Sequence, residues 1–463
     1  MPDIESFDAV IIGTGQGGKP LAGALARAGW RLAIVERGRV GGTCVIEGCT
    51  PTKTMVASAR VAHLARRAAD YGVETGPVSV DLSKVRERKR TIVDQWSTGS
   101  RRGLERHDTL ELVEGVARFA SPTEIAVDDG NGGRRLAAPR IFINAGARPV
   151  VPPIDGLDAV PYLDSTSMME LGEVPDHLLV LGGGFIGLEF GQMFRRFGAR
   201  VTIVEAGPRL VAREDEDVSG ALADILEEDG ITVRMGAPVS RVEPADGGYG
   251  ITLVLDGKDG PERITGSHLL VATGRRPNSD TLDLPAAGLE TDGRGFIPVD
   301  DQCRTSVEGI WALGDITGAP PFTHIAYDDY RVIESQLLGE GQVTREGRLL
   351  PYALFTDPQL GRVGLTEREA REQGYDVKVA KIPMTRVARA IEIDETRGFM
   401  KAVVNADDGR ILGAAILGVE GAEVVSVVQV AMMGGLPYTA LRNAVLAHPT
   451  LSESLNNLFM TLD

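Results

Sequence analysis

The sequence has few cysteines, few positive charges and no long apolar run, and each shortage excludes a class of protein. Three cysteines in 463 residues are too few for the disulfide framework of a secreted protein. Lys and Arg total 49 against 65 Asp and Glu, and the resulting net charge of −16 repels nucleic acid. No stretch approaches the roughly 18 uncharged apolar residues of a membrane span, so no membrane association is predicted.

The N-terminal segment also lacks the features of a secretory leader. It reads "MPDIESFDAVIIG", which is acidic and runs directly into an apolar strand, without a basic n-region or a long apolar h-region. We therefore expect a cytoplasmic protein. The chain has 463 residues, of which 43% are apolar, and this is enough for two or three domains with separate cores.

The sequence does contain an internal repeat. Residues 7–36 give an apolar strand, the glycine turn "GTGQGG", a helical segment and the strand "RLAIVE". Residues 178–205 give the same order around "GGGFIG" and "RVTIVE". The first turn glycine precedes the closing glutamate by 23 positions in both copies, Gly13 to Glu36 and Gly182 to Glu205. The repeat predicts two βαβ units.

Each copy carries the pattern of a dinucleotide site. In a G-x-G-x-x-G turn the glycines allow a tight bend, a close pyrophosphate and close helix packing. The glycines concerned are Gly13, Gly15 and Gly18 in the first copy and Gly182, Gly184 and Gly187 in the second. Two such sites indicate a flavin and a nicotinamide, although one turn alone could be structural. Glu36 and Glu205 are predicted to bind ribose hydroxyls, and Glu205 favours NADH over NADPH unless Arg209 reaches round.

The repeat extends further along the chain. Residues 141–152 and 269–280 share an apolar strand followed by Gly-x-Arg-Pro, which places Gly146 and Gly274 in equivalent positions. From about residue 345 short alternating strands mix with helices, as in an α+β domain. We expect an α/β protein whose parts are a first domain over 1–150, an inserted domain over 151–280, the rest of the first domain over 281–345 and a third domain over 346–463.

The segment "GGTCVIEGCTPTK" places Cys44 and Cys49 five positions apart. Pro51 predicts the start of a helix that continues to Ala69, so Cys49 would lie at a helix N-terminus that favours a thiolate, with Lys53 one turn further on. No other Cys- or Cys/His-rich segment could complete a tetrahedral set, so no metal site is predicted. A redox pair and two packing cysteines remain the alternatives.

Three segments together resemble one known family. They are "GGTCVIEGCTPTK", "GIWALGD" at 309–315 and "AHPTLSES" at 447–454. The chain resembles the class I pyridine nucleotide-disulfide oxidoreductases, which include lipoamide dehydrogenase, glutathione reductase and mercuric reductase. The resemblance covers nearly all of the chain. It implies two doubly wound Rossmann-like domains that bind FAD and NAD, and a C-terminal α+β domain that forms a homodimer.

The resemblance also assigns roles to residues around the cysteines. It implies a redox-active disulfide in which Cys49 is the charge-transfer thiol beside the flavin and Cys44 is the interchange thiol that meets the substrate. Lys53 would pair with Glu189 at the flavin edge where the hydride arrives. Further cofactor contacts are expected at Gly42, Thr43, Lys53, Gly146 and Gly274.

The later segments of the chain complete the implied site. Asp315 would hold the ribityl chain of FAD. His448 would be the general base and Glu453 its orienting carboxylate, and both would act on the disulfide of the partner subunit. An imidazole can exchange a thiol proton near neutral pH, and a carboxylate can fix its tautomer. Cys303 has no counterpart in the family and is interpreted as a packing residue.

Two segments resemble one group within the family. "FTHIAYDDYRV" at 322–332 and the last residues, from "LPYTALRNAVL" onward, resemble the mercuric-reductase-like group that contains a bacterial copper reductase. The additional vicinal cysteines and the N-terminal metal-binding domain of mercuric reductases are absent, so efficient mercury reduction is not expected.

We therefore predict that electrons pass from NADH through FAD to the Cys44/Cys49 disulfide and then to a small disulfide or another thiol-reactive acceptor. A copper- or mercury-ion reductase is the alternative among enzymes. A nucleotide-dependent redox sensor with little turnover is the alternative from another class.

Overall fold

The computed structural model describes residues 3–247, 249–256 and 260–462. The chain divides into two compact units. The first contains residues 1–54, 84–150 and 274–348, and the second contains residues 55–83, 151–273 and 349–463. Each unit has apolar cores of its own.

The described residues form short strands throughout the chain. Their bounds are β1 Ile4–Ser6, β2 Ala9–Ile12, β3 Leu32–Glu36, β4 Leu110–Glu114, β5 Val116–Ser121, β6 Glu124–Asp128, β7 Arg134–Ala137, β8 Ile141–Ile143, β9 Ala147–Pro149, β10 His177–Leu181, β11 Arg200–Val204, β12 Thr232–Arg234, β13 Val239–Pro244, β14 Ile251–Leu255, β15 Glu262–Gly266, β16 His268–Val271, β17 Arg275–Pro277, β18 Ile310–Ala312, β19 Tyr352–Leu354, β20 Gln359–Gly364, β21 Val377–Pro383, β22 Phe399–Asn405 and β23 Ile411–Gly418.

The helices lie between these strands. Their bounds are α1 Gly18–Arg27, α2 Gly42–Ile46, α3 Cys49–Arg66, α4 Leu82–Glu105, α5 Phe185–Phe197, α6 Glu216–Glu228, α7 Thr323–Leu338, α8 Glu367–Glu372, α9 Ala388–Glu392, α10 Gly421–Met433, α11 Tyr438–Arg442 and α12 Ser454–Met460. Among the described residues, no helix is both long and apolar enough to span a membrane.

The first unit is built on a five-stranded parallel sheet in the order β18-β8-β2-β3-β4. Strand β2 reads "AVII" and is buried along its whole length, as expected for a parallel strand that is covered on both faces. Helix α1 buries Leu21 and Leu25 in the core beside this sheet. A second sheet in the order β1-β7-β6-β5 lies in the same unit. The carboxyl ends of β2, β8 and β18 therefore meet at one edge.

The second unit repeats this plan on a smaller scale. Its parallel sheet has the order β12-β11-β10-β16, with α5 following β10 as α1 follows β2. A three-stranded antiparallel sheet, β13-β14-β15, accompanies it. The C-terminal part is an antiparallel sheet in the order β19-β20-β23-β22-β21, against which α10 and α12 pack. The predicted fold class is confirmed.

The helix that follows Cys49 is shorter than the sequence predicts. Helix α3 ends at Arg66 instead of Ala69, and residues 68–71 form a separate 3₁₀ turn. The turn stops at Gly72, whose φ of +73° is a left-handed conformation that glycine adopts at little cost.

Candidate active site

The two predicted nucleotide turns have the same backbone geometry. Gly13 has a φ of +99°, and a Cβ atom there would lie 2.4 Å from the carbonyl oxygen of Asn144. Gly182 has a φ of +113°, and its Cβ atom would lie 2.6 Å from the carbonyl oxygen of Ala272. Only glycine fits either position. Other residues rarely adopt this φ, and their Cβ atom would collide with a backbone oxygen. The remaining turn glycines, Gly15, Gly18, Gly184 and Gly187, follow in the same two turns.

The two predicted ribose carboxylates also make equivalent bonds. Glu36 accepts a bond of 3.0 Å from the backbone N–H of Thr14 and one of 2.9 Å from that of Gly38. Glu205 accepts bonds of 2.6 Å from the N–H groups of Gly183 and Gly207. Each carboxylate thus fixes its turn, and its oxygens keep lone pairs with which to bind a ribose hydroxyl.

Arg209, the residue that could weaken the preference for NADH, is bound to another side chain. Its guanidinium lies 3.1 Å from a carboxylate oxygen of Glu216 at the start of α6. The charge of Arg209 is therefore partly neutralised by Glu216 within the second unit.

Asn144 is a residue of the first site that the sequence interpretation did not single out. Its side-chain oxygen accepts a 2.9 Å bond from the backbone N–H of Gly18, and its amide nitrogen donates a 3.0 Å bond to the carbonyl of Leu313. The buried side chain therefore ties the glycine turn to the "GIWALGD" segment. Alignment of the two repeats gives no signal for Asn144, because Ala272 occupies the equivalent place in the second copy.

Asp315 lies on the short 3₁₀ helix Gly314–Thr317 that follows β18. Burial raises the pKa of its carboxyl group above the usual range, and the charge of Arg275 only partly opposes this. A buried carboxyl group with a raised pKa is stabilised by a hydrogen bond to a hydroxyl group. The first glycine turn, Glu36 and Asp315 therefore fit a flavin dinucleotide.

The remaining predicted cofactor contacts lie at the edges of these turns. Gly42 and Thr43 begin α2, and the backbone of Gly42 lies against that of Gly15. Gly146 and Gly274 come just before β9 and β17, which pair with each other in antiparallel fashion. The segment with the first cysteine thus begins beside the first nucleotide turn.

The two predicted redox cysteines lie together in the first unit. Cys44 is in α2, Cys49 is the first residue of α3, and they carry separate thiols that hydrogen-bond to each other. This bond and burial raise the pKa of the Cys44 thiol. The hydroxyl of Thr323 and the charge of Lys19 act on that pKa in the opposite direction. The direction of the shift corresponds to Cys44 as the proton donor in this bond and Cys49 as the acceptor.

Cys303, the third cysteine, is buried in the apolar core of the first unit. Burial raises the pKa of its thiol, so the reactive thiolate form is disfavoured. This environment agrees with its interpretation as a packing residue.

Lys53 and Glu189 lie in different units. Lys53 is half-buried on α3, four residues after Cys49. Glu189 is buried on α5, where it accepts a 2.9 Å bond from the backbone N–H of Phe355. Their pairing stays a prediction.

His448 and Glu453 are brought together in the second unit. The Nδ1 atom of His448 lies 2.8 Å from one carboxylate oxygen of Glu453. The backbone N–H of Glu453 donates to the Thr450 hydroxyl, which donates to the Ala447 carbonyl and so closes the turn. The imidazole is exposed, with 69% of its side-chain surface accessible. An oriented, accessible imidazole of this kind can exchange protons with a bound molecule.

Known protein families match both parts of the chain. The pyridine nucleotide-disulphide oxidoreductase family matches residues 7–329, and the dimerisation domain of that family matches residues 350–459. A probable pyridine nucleotide-disulfide oxidoreductase of Escherichia coli K12, RclA, is 38% identical over 460 residues, which cover 98% of this chain and 99% of the relative. The mercuric reductase of Lysinibacillus sphaericus is 34% identical over 459 residues, which cover 99% and 83% of the two chains.

A solved structure has the same fold. The Cu(II) complex of the HOCl-induced flavoprotein disulfide reductase RclA from E. coli superimposes with a TM-score of 0.91 at 37% identity and covers 99% of this chain and all of that one. The chain belongs to the pyridine nucleotide-disulphide oxidoreductase family and is an FAD- and NAD(P)H-dependent oxidoreductase that acts on disulfide or thiol groups.

Proposed function

We propose that this enzyme transfers two electrons from NADH to the Cys44/Cys49 disulfide and from there to a small disulfide or another thiol-reactive acceptor. The observation that carries the proposal is the pair of hydrogen-bonded thiols, one of which begins a long helix. Bound FAD would accept the hydride and pass the electron pair to the disulfide. The residues that would hold it are the first glycine turn, Glu36, Gly42, Thr43, Gly146, Lys53 and Asp315.

The two cysteines have different tasks in this proposal. Reduction breaks the S–S bond and, with one proton, leaves a thiolate on Cys49 and a thiol on Cys44. Loss of the Cys44 proton gives the nucleophile that attacks an acceptor disulfide and releases one acceptor thiolate. Attack of Cys49 on the mixed disulfide then restores the Cys44–Cys49 bond and releases the second half of the acceptor.

His448 and Glu453 move protons in this exchange. The carboxylate holds Nδ1–H, so the Nε2 atom is the one that takes a proton from a thiol or returns it to a leaving thiolate. We infer that the chain forms a homodimer in which each subunit presents this pair to the thiols of the other. Exposed apolar side chains on the dimerisation domain support a covered surface, among them Val430, Met433 and Val445.

The second nucleotide turn is proposed to hold NADH in preference to NADPH. The carboxylate of Glu205 repels a 2′-phosphate, and Arg209 is engaged by Glu216. Lys53 and Glu189 are proposed to pair where the hydride arrives. The four-part domain division and a cytoplasmic location also stay predictions.

A metal-ion reductase is the second candidate. It is favoured by similarity over 99% of the chain to a flavoprotein disulfide reductase whose structure was solved as a Cu(II) complex. In this reaction the reduced thiols would bind Cu(II), and the two electrons released when they form the disulfide again would reduce two Cu(II) ions to Cu(I). The ion would be a substrate, and Cys44 would be its first ligand.

The two candidates are distinguished by NADH oxidation with a panel of acceptors. We expect turnover with one or more small disulfides, loss of that turnover in Cys44→Ser, and persistence of the flavin perturbation by the Cys49 thiolate. Cys303→Ala is the matched control and should retain turnover, because its sulfur lies in the core. Turnover with Cu(II) but with no disulfide would establish the second candidate, and normal disulfide turnover by Cys44→Ser would refute the assignment of Cys44.

A further inference from the structure

Thr323 contacts the thiol pair from a segment far away in sequence. It is the first residue of α7, and its hydroxyl oxygen lies 3.3 Å from the sulfur of Cys49. The same hydroxyl hydrogen-bonds to Cys44, where it lowers the pKa of that thiol. One side chain therefore serves both sulfurs. A hydroxyl can donate to a sulfur anion or accept from a thiol, so it suits a pair whose charge moves from one sulfur to the other.

The position of this hydroxyl is fixed by the helix that carries it. Asp329, which is fully buried on α7, accepts a 2.8 Å bond from the backbone N–H of Gly314 and pairs with Arg348 at 2.7 Å. The start of α7 is thereby held against the segment that contains Asp315. Because α7 has 16 residues, its N-terminus adds a positive partial charge beside the sulfurs.

Lys19 supplies a positive charge that acts on Cys44. It lies on the first turn of α1, directly after the nucleotide turn, and its ammonium group donates a 3.1 Å bond to the Ser100 hydroxyl. Burial lowers the pKa of Lys19, whereas the Cys44 charge opposes that change. The groups that act on Cys44 include Cys49 on α3, Lys19 on α1 and the Thr323 hydroxyl on α7.

We propose that Thr323 is a further catalytic residue, whose hydroxyl donates a hydrogen bond to the thiolate of Cys49 after reduction and to Cys44 when that residue becomes ionised. The inference rests on the redox role proposed above for the two cysteines. It assigns to the site a residue that lies outside the cysteine segment and outside the His448/Glu453 pair.

The test measures thiolate formation directly on the holoenzyme. The protein is reduced with dithiothreitol, desalted without oxygen and treated with iodoacetamide over a range of pH, and peptide mass spectrometry separates Cys44 from Cys49. Because only thiolates react, we expect Thr323→Val and Thr323→Ala to slow alkylation of Cys49 about tenfold below its pH midpoint, which corresponds to a shift of about one pH unit. Thr323→Ser keeps the hydroxyl and should stay within about twofold of the unmodified protein.

FAD content and thermal melting identify any variant that has lost its fold. The valine and alanine variants are both included so that at least one folded protein lacks the hydroxyl.

Unchanged Cys49 kinetics in a folded variant without the hydroxyl would overturn the inference, as would equal slowing by the serine variant. Alkylation requires neither NADH nor an acceptor. The proposed function fails on different observations. It is wrong if NADH does not reduce the flavin of the unmodified protein, or if the reduced flavin does not cleave the disulfide.

Discussion

The Nδ1 atom of His448 lies 2.8 Å from one carboxylate oxygen of Glu453 and 3.0 Å from the other. The carboxylate can only accept, so Nδ1 carries a proton and the opposite ring nitrogen is presented outward. This orientation determines which reaction step each residue should affect.

We expect His448→Ala to slow disulfide exchange about 100-fold or more while the rate of flavin reduction by NADH changes less than about twofold, because general acid–base catalysis contributes about 10²–10⁴ in rate. Glu453→Gln should have a smaller effect on the same half-reaction, since the amide can still hold the ring. Stopped-flow measurement of the two half-reactions checks this. Glu372→Gln, an exposed residue in the same unit, is the control. Equal losses in both half-reactions would indicate a defect in folding or dimer formation.

Cofactor preference provides the second prediction. Glu216→Gln removes the charge that engages Arg209, so the guanidinium becomes available to a 2′-phosphate. We expect the ratio of kcat/KM for NADPH to that for NADH to rise about two- to fivefold. Glu227→Gln, also on α6 but without this contact to Arg209, is the matched control. An unchanged ratio in Glu216→Gln would show that Arg209 does not reach the second ribose.

The third prediction concerns stability at low pH. Burial, together with the charge of Arg196, lowers the pKa of His63 from 6.5 to about 4. The charged groups that act on it in the second unit include Arg196, Asp229, Asp357 and Arg397. Between pH 6.5 and 4 the unfolded chain therefore binds a proton at His63 that the folded protein excludes. The contribution of neutral His63 to stability is present above pH 6.5 and is lost as the pH falls towards 4.

We expect the Tm of the unmodified protein to fall more steeply between pH 6.5 and 4.5 than the Tm of His63→Gln, which cannot be protonated. Thermal melting at several pH values measures this difference in slope. The two proteins should differ by a constant amount above pH 7. Parallel curves down to pH 4.5 would contradict the burial-driven shift.

The fourth prediction concerns a buried ion pair of the second unit. Arg362 and Glu214 are 2% and 1% exposed and bind each other, and the Tyr352 hydroxyl donates to the same carboxylate. Glu214→Gln leaves the guanidinium with Asp215, at 4.0 Å, as its nearest anion. We expect the free energy of unfolding to fall by about 3 kcal/mol, since removing one member of a buried pair typically costs about 3–5 kcal/mol.

Urea unfolding of the holoenzyme measures this loss. The double variant Glu214→Leu/Arg362→Met should recover most of it, because apolar side chains of similar size remove both charges together. The exposed Glu372→Gln variant should stay within about 0.5 kcal/mol of the unmodified protein. A single variant as stable as that control would show that the pair contributes little.

The sequence by itself determined the two nucleotide turns and the fold class. Turn geometry is determined by residues that are close in sequence. Gly13 and Gly182 have the left-handed φ that a tight turn between a strand and the next helix requires. The apolar run of β2 likewise predicted a strand covered on both faces. The end of α3 was misplaced by three residues because Arg67 to Ala69 are compatible with either type of helix.

Only the tertiary structure decided which distant groups surround the two cysteines. Thr323 follows Cys49 by 274 residues, and Asn144 joins a turn to a strand end that lies 169 residues further on. No local periodicity records such contacts, because they arise from the order in which parallel strands are assembled. The sequence predicted the paired cysteines, whereas the packing of α1, α3 and α7 placed a hydroxyl and a cation where they act on the sulfur charge.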